Sequence, residues 1–311
     1  MVITAHPYSA DQTELWNEFV ADSRNGTFLF NRNYMDYHAD RFTDASLMLR
    51  LDGKLIGLLP ANRDGDVLIS HSGLTYGGLV LDQTVGLDHV RAMLGAVIDA
   101  GRAQGCHRLI YKTIPSIYHR APAQEDLWAL HEIGATLIRR DALAVVPDGA
   151  RPNRGRRRDI SRAGRRQITV HRGVDDWAGF WNILSAQLAA RHDATPVHSV
   201  AEMALLAERF PDDISLWTAQ RDGALLAGSV LYRTPTCLHC QYSAASDLGR
   251  ETRAMDLIHD AAIKLAHEHS LCFDFGISSE AGGTVLNAGL QVYKEGFGAR
   301  AVMHDYYEIN L

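Results

Sequence analysis

The chain has 311 residues, a formal charge of −6, 46% hydrophobic and 22% charged residues. That is ordinary globular usage at a length suited to two domains or one large one, and it excludes disorder, collagen-like repeats and a disulfide scaffold. No apolar run reaches the roughly 18–20 residues of a membrane helix, and no basic-then-apolar leader opens the chain. The four cysteines, Cys106, Cys237, Cys240 and Cys272, read as reduced thiols. A cytoplasmic protein without a transmembrane segment is expected.

The first half opens with Asp11–Arg24, where Leu15, Trp16, Phe19 and Val20 fall at helical spacing. A short helix is expected over 31–41. Two strands follow around an Asp52-Gly53 turn, then a strand over DVLISHSG. A helix over 87–104, the strand HRLIYKTIP, a helix over 124–134 and the strand LIRRDALAVVP complete this half. Next comes RPNRGRRRDISRAGRR, residues 151–166, with eight arginines against one acid. It carries +7, so the other residues sum to −13. Pro152, Gly155 and Gly164 mark it as a connector, and its guanidinium forks suit phosphate.

The second half repeats the scheme. Helices are expected over 177–191 and 199–210, the second opened by a Ser199/Glu202 capping box. A strand pair around Asp222-Gly223, the strand TCLHCQYSAAS, a polar loop DLGRET and a helix over 253–269 follow. The strand LCFDFGIS, a helix over 285–296 and the strand AVMHDYYEINL end the chain. The repeated order predicts an α/β (mixed α+β) protein of two similar units, residues 1–150 and 167–311, joined by the 151–166 connector.

CLHC is not read as a zinc site. On a strand Cys237 and Cys240 face opposite ways, and no second Cys/His pair has suitable spacing. No metal is expected. Asp274 shares a strand face with Cys272 and Gly276, opposite Phe273 and Phe275. A carboxylate there needs a partner or a cleft. In Ser70–Gly78 (SHSGLTYGG), glycines beside His71 and Tyr76 suit close approach to a ligand or a tight turn.

On SHSGLTYGG, the basic segment, Arg191-His192, FDFGIS (Phe273–Ser278) and YKEGFGAR (Tyr293–Arg300), the chain resembles tandem GNAT acyltransferases. Within them it is most similar to the Fem-like group, which includes peptidoglycan cross-bridge aminoacyltransferases, and to related GNAT proteins of polysaccharide biosynthesis. The resemblance implies two tandem GNAT-like domains, each a largely antiparallel mixed sheet flanked by helices. It places the acceptor on the first and the donor and catalysis on the second.

In that fold the donor's acyl arm enters between two splayed parallel strands, here 237–246 and 271–278, and its pyrophosphate sits where the next helix begins. The family loop Gln/Arg-x-x-Gly-x-Gly/Ala aligns with Arg250–Met255; Arg250 matches, and Arg253 replaces the central glycine. Donor binding thus falls to Ser243, Ala245, Arg250, Arg253 and Ala254. Either Arg253 itself meets phosphate or the donor is not CoA. The implied catalytic candidates are Lys294, Asp274, Tyr242, Tyr293 and His192, with His239 a further acid–base group. Acceptor contacts are assigned to His71, Tyr76, Gly77 and Arg158.

The expected activity is transfer of an acyl group from acyl-CoA, as co-substrate, to an amine. The acceptor is a small-molecule or lipid-linked amine: a sugar nucleotide, a cell-envelope polysaccharide or a peptidoglycan precursor. Two alternatives stay open. One is aminoacyl-tRNA-dependent, Fem-like aminoacyl transfer, with tRNA as partner; the other is a non-catalytic ligand-binding module on a degenerate GNAT scaffold.

Overall fold

The computed structural model describes residues 2–192 and 194–311, with the side chains of Arg191 and His192 outside that description. The first stretch of chain forms β1 (Ile3–Pro7), α1 (Thr13–Asp22), α2 (Arg32–Met35), β2 (Thr43–Asp44), β3 (Leu47–Leu51), β4 (Lys54–Leu59), β5 (Asn62–Asp64), β6 (Val67–Ile69), β7 (Val80–Leu81), α3 (Leu87–Ala103), β8 (Arg108–Lys112), α4 (Glu125–Glu132) and β9 (Thr136–Val146). There follow α5 (Arg154–Gly164), β10 (Thr169–Arg172), α6 (Trp177–His192), α7 (Val200–Arg209), β11 (Ile214–Arg221), β12 (Ala224–Arg233), β13 (Cys237–Ala245), α8 (Asp247–Thr252), α9 (Ala254–Glu268), β14 (Cys272–Ile277), β15 (Ser279–Glu280), β16 (Val285–Leu286), α10 (Ala288–Glu295) and β17 (Arg300–Asn310).

The residues group into two compact units, and neither is a consecutive half. One holds the chain up to Asp141 together with Ser279–Val285 and Val302–Leu311; the other holds Ala142–Ser278 and Leu286–Ala301. The expected boundaries, 1–150 and 167–311, miss this because most of the closing strand belongs to the first unit. There Tyr306 pairs with Lys112 and Ile309 with Leu109, antiparallel to β8.

In the first unit β1-β3-β4-β7 form an antiparallel sheet. β6 runs parallel to β8, with β5 and β2 beyond it. Val90, Met93, Leu94 and Val97 of α3, at helical spacing, close the core with Leu47, Leu49 and Ile56.

In the second unit the strand order is β10-β11-β12-β13-β14-β9, antiparallel except for the parallel pair β13–β14. Ala254, Ile258, Ala262, Ile263 and Ala266 of α9 cover this sheet over Trp217, Leu231 and Phe273. Both Asp-Gly hairpins form as expected. Asp52 and Gly53 have φ of 49° and 84°, and Asp222 and Gly223 have 51° and 76°, the paired positive values a two-residue hairpin turn requires. The α7 capping box also forms: Ser199 N–H donates to Glu202 Oε2 at 2.7 Å and Glu202 N–H to Ser199 Oγ at 3.2 Å.

Two segments read as irregular are helical. The arginine-rich connector is α5, started by Asn153, whose Oδ1 accepts the Arg156 N–H at 2.8 Å. Arg156, Asp159, Ile160 and Ala163 recur at one-face spacing and turn inward, while Arg154, Arg157, Arg158, Arg162 and Arg165 are exposed. The polar DLGRET is α8, capped by Ser246, whose Oγ accepts the Gly249 N–H at 3.1 Å. A Cβ on Gly249 would lie 1.9 Å from the Leu226 carbonyl oxygen, so only glycine lets α8 rest on β12.

Candidate active site

β13 and β14 pair in parallel at Cys237–Cys272, Leu238–Phe273 and His239–Asp274, and then separate. On the other side of β13 the pairing with β12 shifts register so that Gln241 is an extra residue, a bulge of the kind that re-aims a strand beside a site. Ser246 N–H donates to Leu226 O, on the β12 side. Strand alternation therefore turns the N–H and C=O of Ala245, and likewise of Ser243, toward the edge that β14 vacates. A cleft of about 510 Å³ opens there. Its walls carry Ser243 and Ala245 of β13, Arg250 of α8, Arg253 between α8 and α9, Asp256 and His259 of α9, Tyr293 of α10, and Gln187 of α6.

The loop keeps a glycine's shape without a glycine. Arg253 has φ 60° and ψ 36°, the left-handed conformation, and both ends α8 and begins α9. A non-glycine residue there costs about 1–2 kcal/mol. Its guanidinium is held by Asp159 at 3.0 Å and lies 3.9 Å from Asp256. In the first turn of α9 the Asp256 N–H donates to Arg253 O at 3.1 Å; the amides ahead of it precede the helix's own ladder of bonds, so this end favours an anion. Ala254 itself is fully buried under the first turn.

Below the loop lies a buried polar chain. Arg156 Nη1 reaches Asp256 Oδ2 at 2.6 Å, with its guanidinium 4.2 Å from the Tyr293 ring centre and 4.7 Å from that of Phe297. Tyr293 donates its hydroxyl proton to Asp256 Oδ1 at 3.0 Å. His259 Nδ1, 3.0 Å from the same hydroxyl oxygen, must then be the donor of that contact, which leaves Nε2 unprotonated on the neutral ring, 4.0 Å from Cys240 Sγ. Burial holds His259 down at about 3, helped by Lys294 and Arg156. Burial and the Asp256 charge raise Tyr293 well above the ordinary phenol value, so it stays protonated.

Asp274 is wholly buried at the point of strand separation. It is compensated by His239 Nδ1 at 2.8 Å and by the Gly276 N–H at 2.7 Å. Lys294 is 4% exposed, and its ammonium donates to Gly276 O at 3.0 Å and Ile277 O at 2.6 Å. Burial moves its pKa down to about 8, against the pull of Cys240 and Asp274. Tyr242 does not line the cleft: its hydroxyl meets His198 Nδ1 at 2.6 Å, and burial raises it to about 12.

The sequence-assigned residues thus divide. Ser243, Ala245, Arg250, Arg253 and Tyr293 meet at one cleft; Lys294 and Asp274 sit beneath the strand separation; Tyr242 packs on Trp181. The His192 side chain lies outside the described residues. Arg158 points outward from α5. In the first unit, Tyr76 stacks on Tyr118 at 4.4 Å and bonds Thr27 at 2.8 Å. A Cβ on Gly77 would lie 2.0 Å from Ser70 O, so its close approach is to the chain itself and not to a ligand. His71, at φ 57°, is buried against His38 and Phe42 and held down at about 3 by burial. These three residues pack internally, in place of the acceptor contacts assigned to them.

Sequence reasoning missed Gln187, Asp256, His259 and Arg156. Asp256 and His259, three apart on the core face of α9, were the available signal, because polar residues on an apolar stripe need a reason.

Residues 151–295 match the family described as an Acetyltransferase (GNAT) domain. That segment is similar to GNAT acetyltransferase domains. It contains the whole cleft. Solved structures agree over nearly the full chain. FemX matches with a TM-score of 0.70 at 13% identity, covering 97% of each chain. L-PGS from Bacillus licheniformis gives 0.59 at 12%, covering 98% of this chain and 93% of that one. A tandem GNAT protein from the clavulanic acid biosynthesis pathway gives 0.56 at 12%, covering 99% and 98%. No curated protein sequence matches. At these identities the likeness establishes the fold: mixed α/β, of the tandem GNAT kind. Among the described residues no cluster of His, Cys, Asp or Glu is arranged to hold a metal, and no helix is long and apolar enough to cross a membrane.

Proposed function

We propose that the protein is an N-acyltransferase that moves an acyl group from acyl-CoA to an amine on a sugar nucleotide, a cell-envelope polysaccharide or a peptidoglycan precursor. The observation that carries this reading is the vacated edge of β13. It turns the N–H and C=O of Ala245 toward the cleft, where side chains and not a neighbouring strand bond them, beside a residue in glycine-like conformation at a helix N-terminus. The edge suits an extended amide-bearing arm, and the loop suits its phosphates. The acceptor amine attacks the thioester carbonyl, the C–S bond breaks, and the amine's proton passes to solvent. Tyr293, on the cleft wall and protonated in the resting site, turns its hydroxyl from Asp256 toward the leaving thiolate, gives it the proton and regains one from water. Lys294, a cation beneath the strand separation, adds positive potential there. The test is thiol release from acetyl-CoA and longer acyl-CoAs with a panel of amino-sugar nucleotides. Absence of turnover with every donor and acceptor overturns the reading.

A second reading, aminoacyl-tRNA as donor, draws on the outward arginine row of α5: Arg154, Arg157, Arg158, Arg162 and Arg165. Binding through these would weaken steeply with salt as condensed counterions are released. Charged tRNA that binds without salt dependence, or does not bind, removes it.

A further inference from the structure

Ala245 does not present a bare edge. Its N–H donates to Gln187 Oε1 at 3.2 Å, and its carbonyl accepts from Arg250 Nη1 at 2.5 Å. Gln187 comes from α6 and Arg250 from α8, so two side chains distant in sequence converge on one peptide group. Together they supply one carbonyl oxygen and one N–H, the complement that a secondary amide would supply if it lay against the strand as an added segment. Gln187 also lines both the 510 Å³ cleft and an adjoining cavity of about 420 Å³ walled by Asn182, Ile183, Ala186 and Ala190. It therefore forms part of the wall of both spaces. Arg250 also pairs with Asp247, whereas among the described residues the Gln187 carboxamide makes one hydrogen bond, to Ala245.

We propose that Gln187 is a gate that selects the donor. Its carboxamide oxygen occupies the Ala245 N–H until an amide carbonyl on the donor's arm displaces it, so donors with a suitably placed secondary amide enter and others do not. The proposal rests on the acyl-CoA reading above and adds the residue that competes with the donor. A pantetheine arm carries two secondary amides, and the phosphates of CoA play no part in this exchange. The gate should therefore act equally on acetyl-CoA and on S-acetylpantetheine.

The experiment is titration calorimetry of the full-length wild type and the variants Gln187→Ala, Gln187→Asn and Gln187→Glu with both compounds, plus hydrogen exchange at the Ala245 amide. Gln187→Ala removes the competitor, and Gln187→Asn is one methylene too short to reach. Both should tighten each compound by about 3- to 10-fold, the worth of one neutral hydrogen bond. In the free protein both should speed exchange at Ala245. Gln187→Glu keeps an acceptor and should not tighten either compound. A loosened α6 would instead weaken binding. Wild-type binding that is unchanged or weakened in Gln187→Ala and Gln187→Asn overturns the gate and leaves the acyl-CoA reading standing. Equal tightening in Gln187→Glu also overturns it. No binding of either compound to any of the proteins overturns the gate and the acyl-CoA reading together.

Discussion

Replacing Arg156 with alanine cuts the one guanidinium that α5 sends into the core. Its side chain is 10% exposed and that of Asp256 4%, and the two meet at 2.6 Å. Breaking a buried pair from one side strands the other charge, which costs about 3–5 kcal/mol. Two contacts moderate the loss: the Tyr293 hydroxyl on Asp256 Oδ1 at 3.0 Å, and Arg253 at 3.9 Å from Oδ2. The guanidinium also lies over Tyr293 and Phe297, worth about 1 kcal/mol more. Arg156→Ala should therefore destabilise by about 3–4 kcal/mol in urea unfolding. Arg157→Ala, one residue on and exposed, should change stability by less than about 0.5 kcal/mol. A double-mutant cycle with Asp256→Asn should give a coupling of about 2 kcal/mol or more. A loss under about 1 kcal/mol for Arg156→Ala, or a coupling near zero, would refute the anchoring of α5 by this pair, since that is the size of an exposed ion pair.

Tyr293→Phe should lower kcat about 100-fold with KM for the donor within about twofold, as expected for loss of a proton donor; unchanged kcat removes Tyr293 from that role. Arg253→Gly relieves a left-handed arginine but forfeits its bond to Asp159, so stability should shift by less than about 1 kcal/mol. Its KM for acyl-CoA should change by less than about threefold; a rise above about tenfold would show that the guanidinium itself meets phosphate. His259 is neutral in the fold, held at about 3 against an ordinary 6.5. Unfolding therefore takes up one proton between those limits, and its contribution to stability is lost as pH falls below 6.5, at about 1.4 kcal/mol per pH unit. Urea unfolding of wild type and His259→Asn at pH 6.5, 5.5 and 4.5 should show the wild-type advantage shrinking at that slope; a pH-independent difference contradicts the buried neutral ring.

Local signals were legible because they are local. The Asp-Gly turns and the Ser199/Glu202 box carry their own backbone requirements within four residues. The arginine segment misled because Gly155, Gly164 and Pro152 read as linker punctuation. Its inward face at Arg156, Ile160 and Ala163 becomes visible only once α9 supplies Asp256 as a partner. Ser243 and Ala245 were reachable through the family resemblance of the 237–246 strand, but the bonding of Ala245 by Gln187 and Arg250 was not. Gln187 lies 58 residues from Ala245, and no periodicity links α6 to that edge. Tyr76 and Gly77 show the opposite error. A glycine-rich aromatic stretch reads equally as a ligand loop or as tight internal packing, and the hydroxyl on Thr27 and the approach to Ser70 decide for packing. The closing strand was found, but its partner β8 is nearly two hundred residues earlier, so its unit was misassigned.

Acyl-CoA entry at the vacated edge of β13 is tested most directly by titrating acetyl-CoA into isotope-labelled protein and following backbone amide resonances. Saturable shifts concentrated at Ser243–Ala245 and Arg250–Met255, with the largest at the Ala245 amide as Gln187 is displaced, are the predicted result. No saturable shift at those amides, or shifts confined to other parts of the chain, would contradict acyl-CoA as the donor.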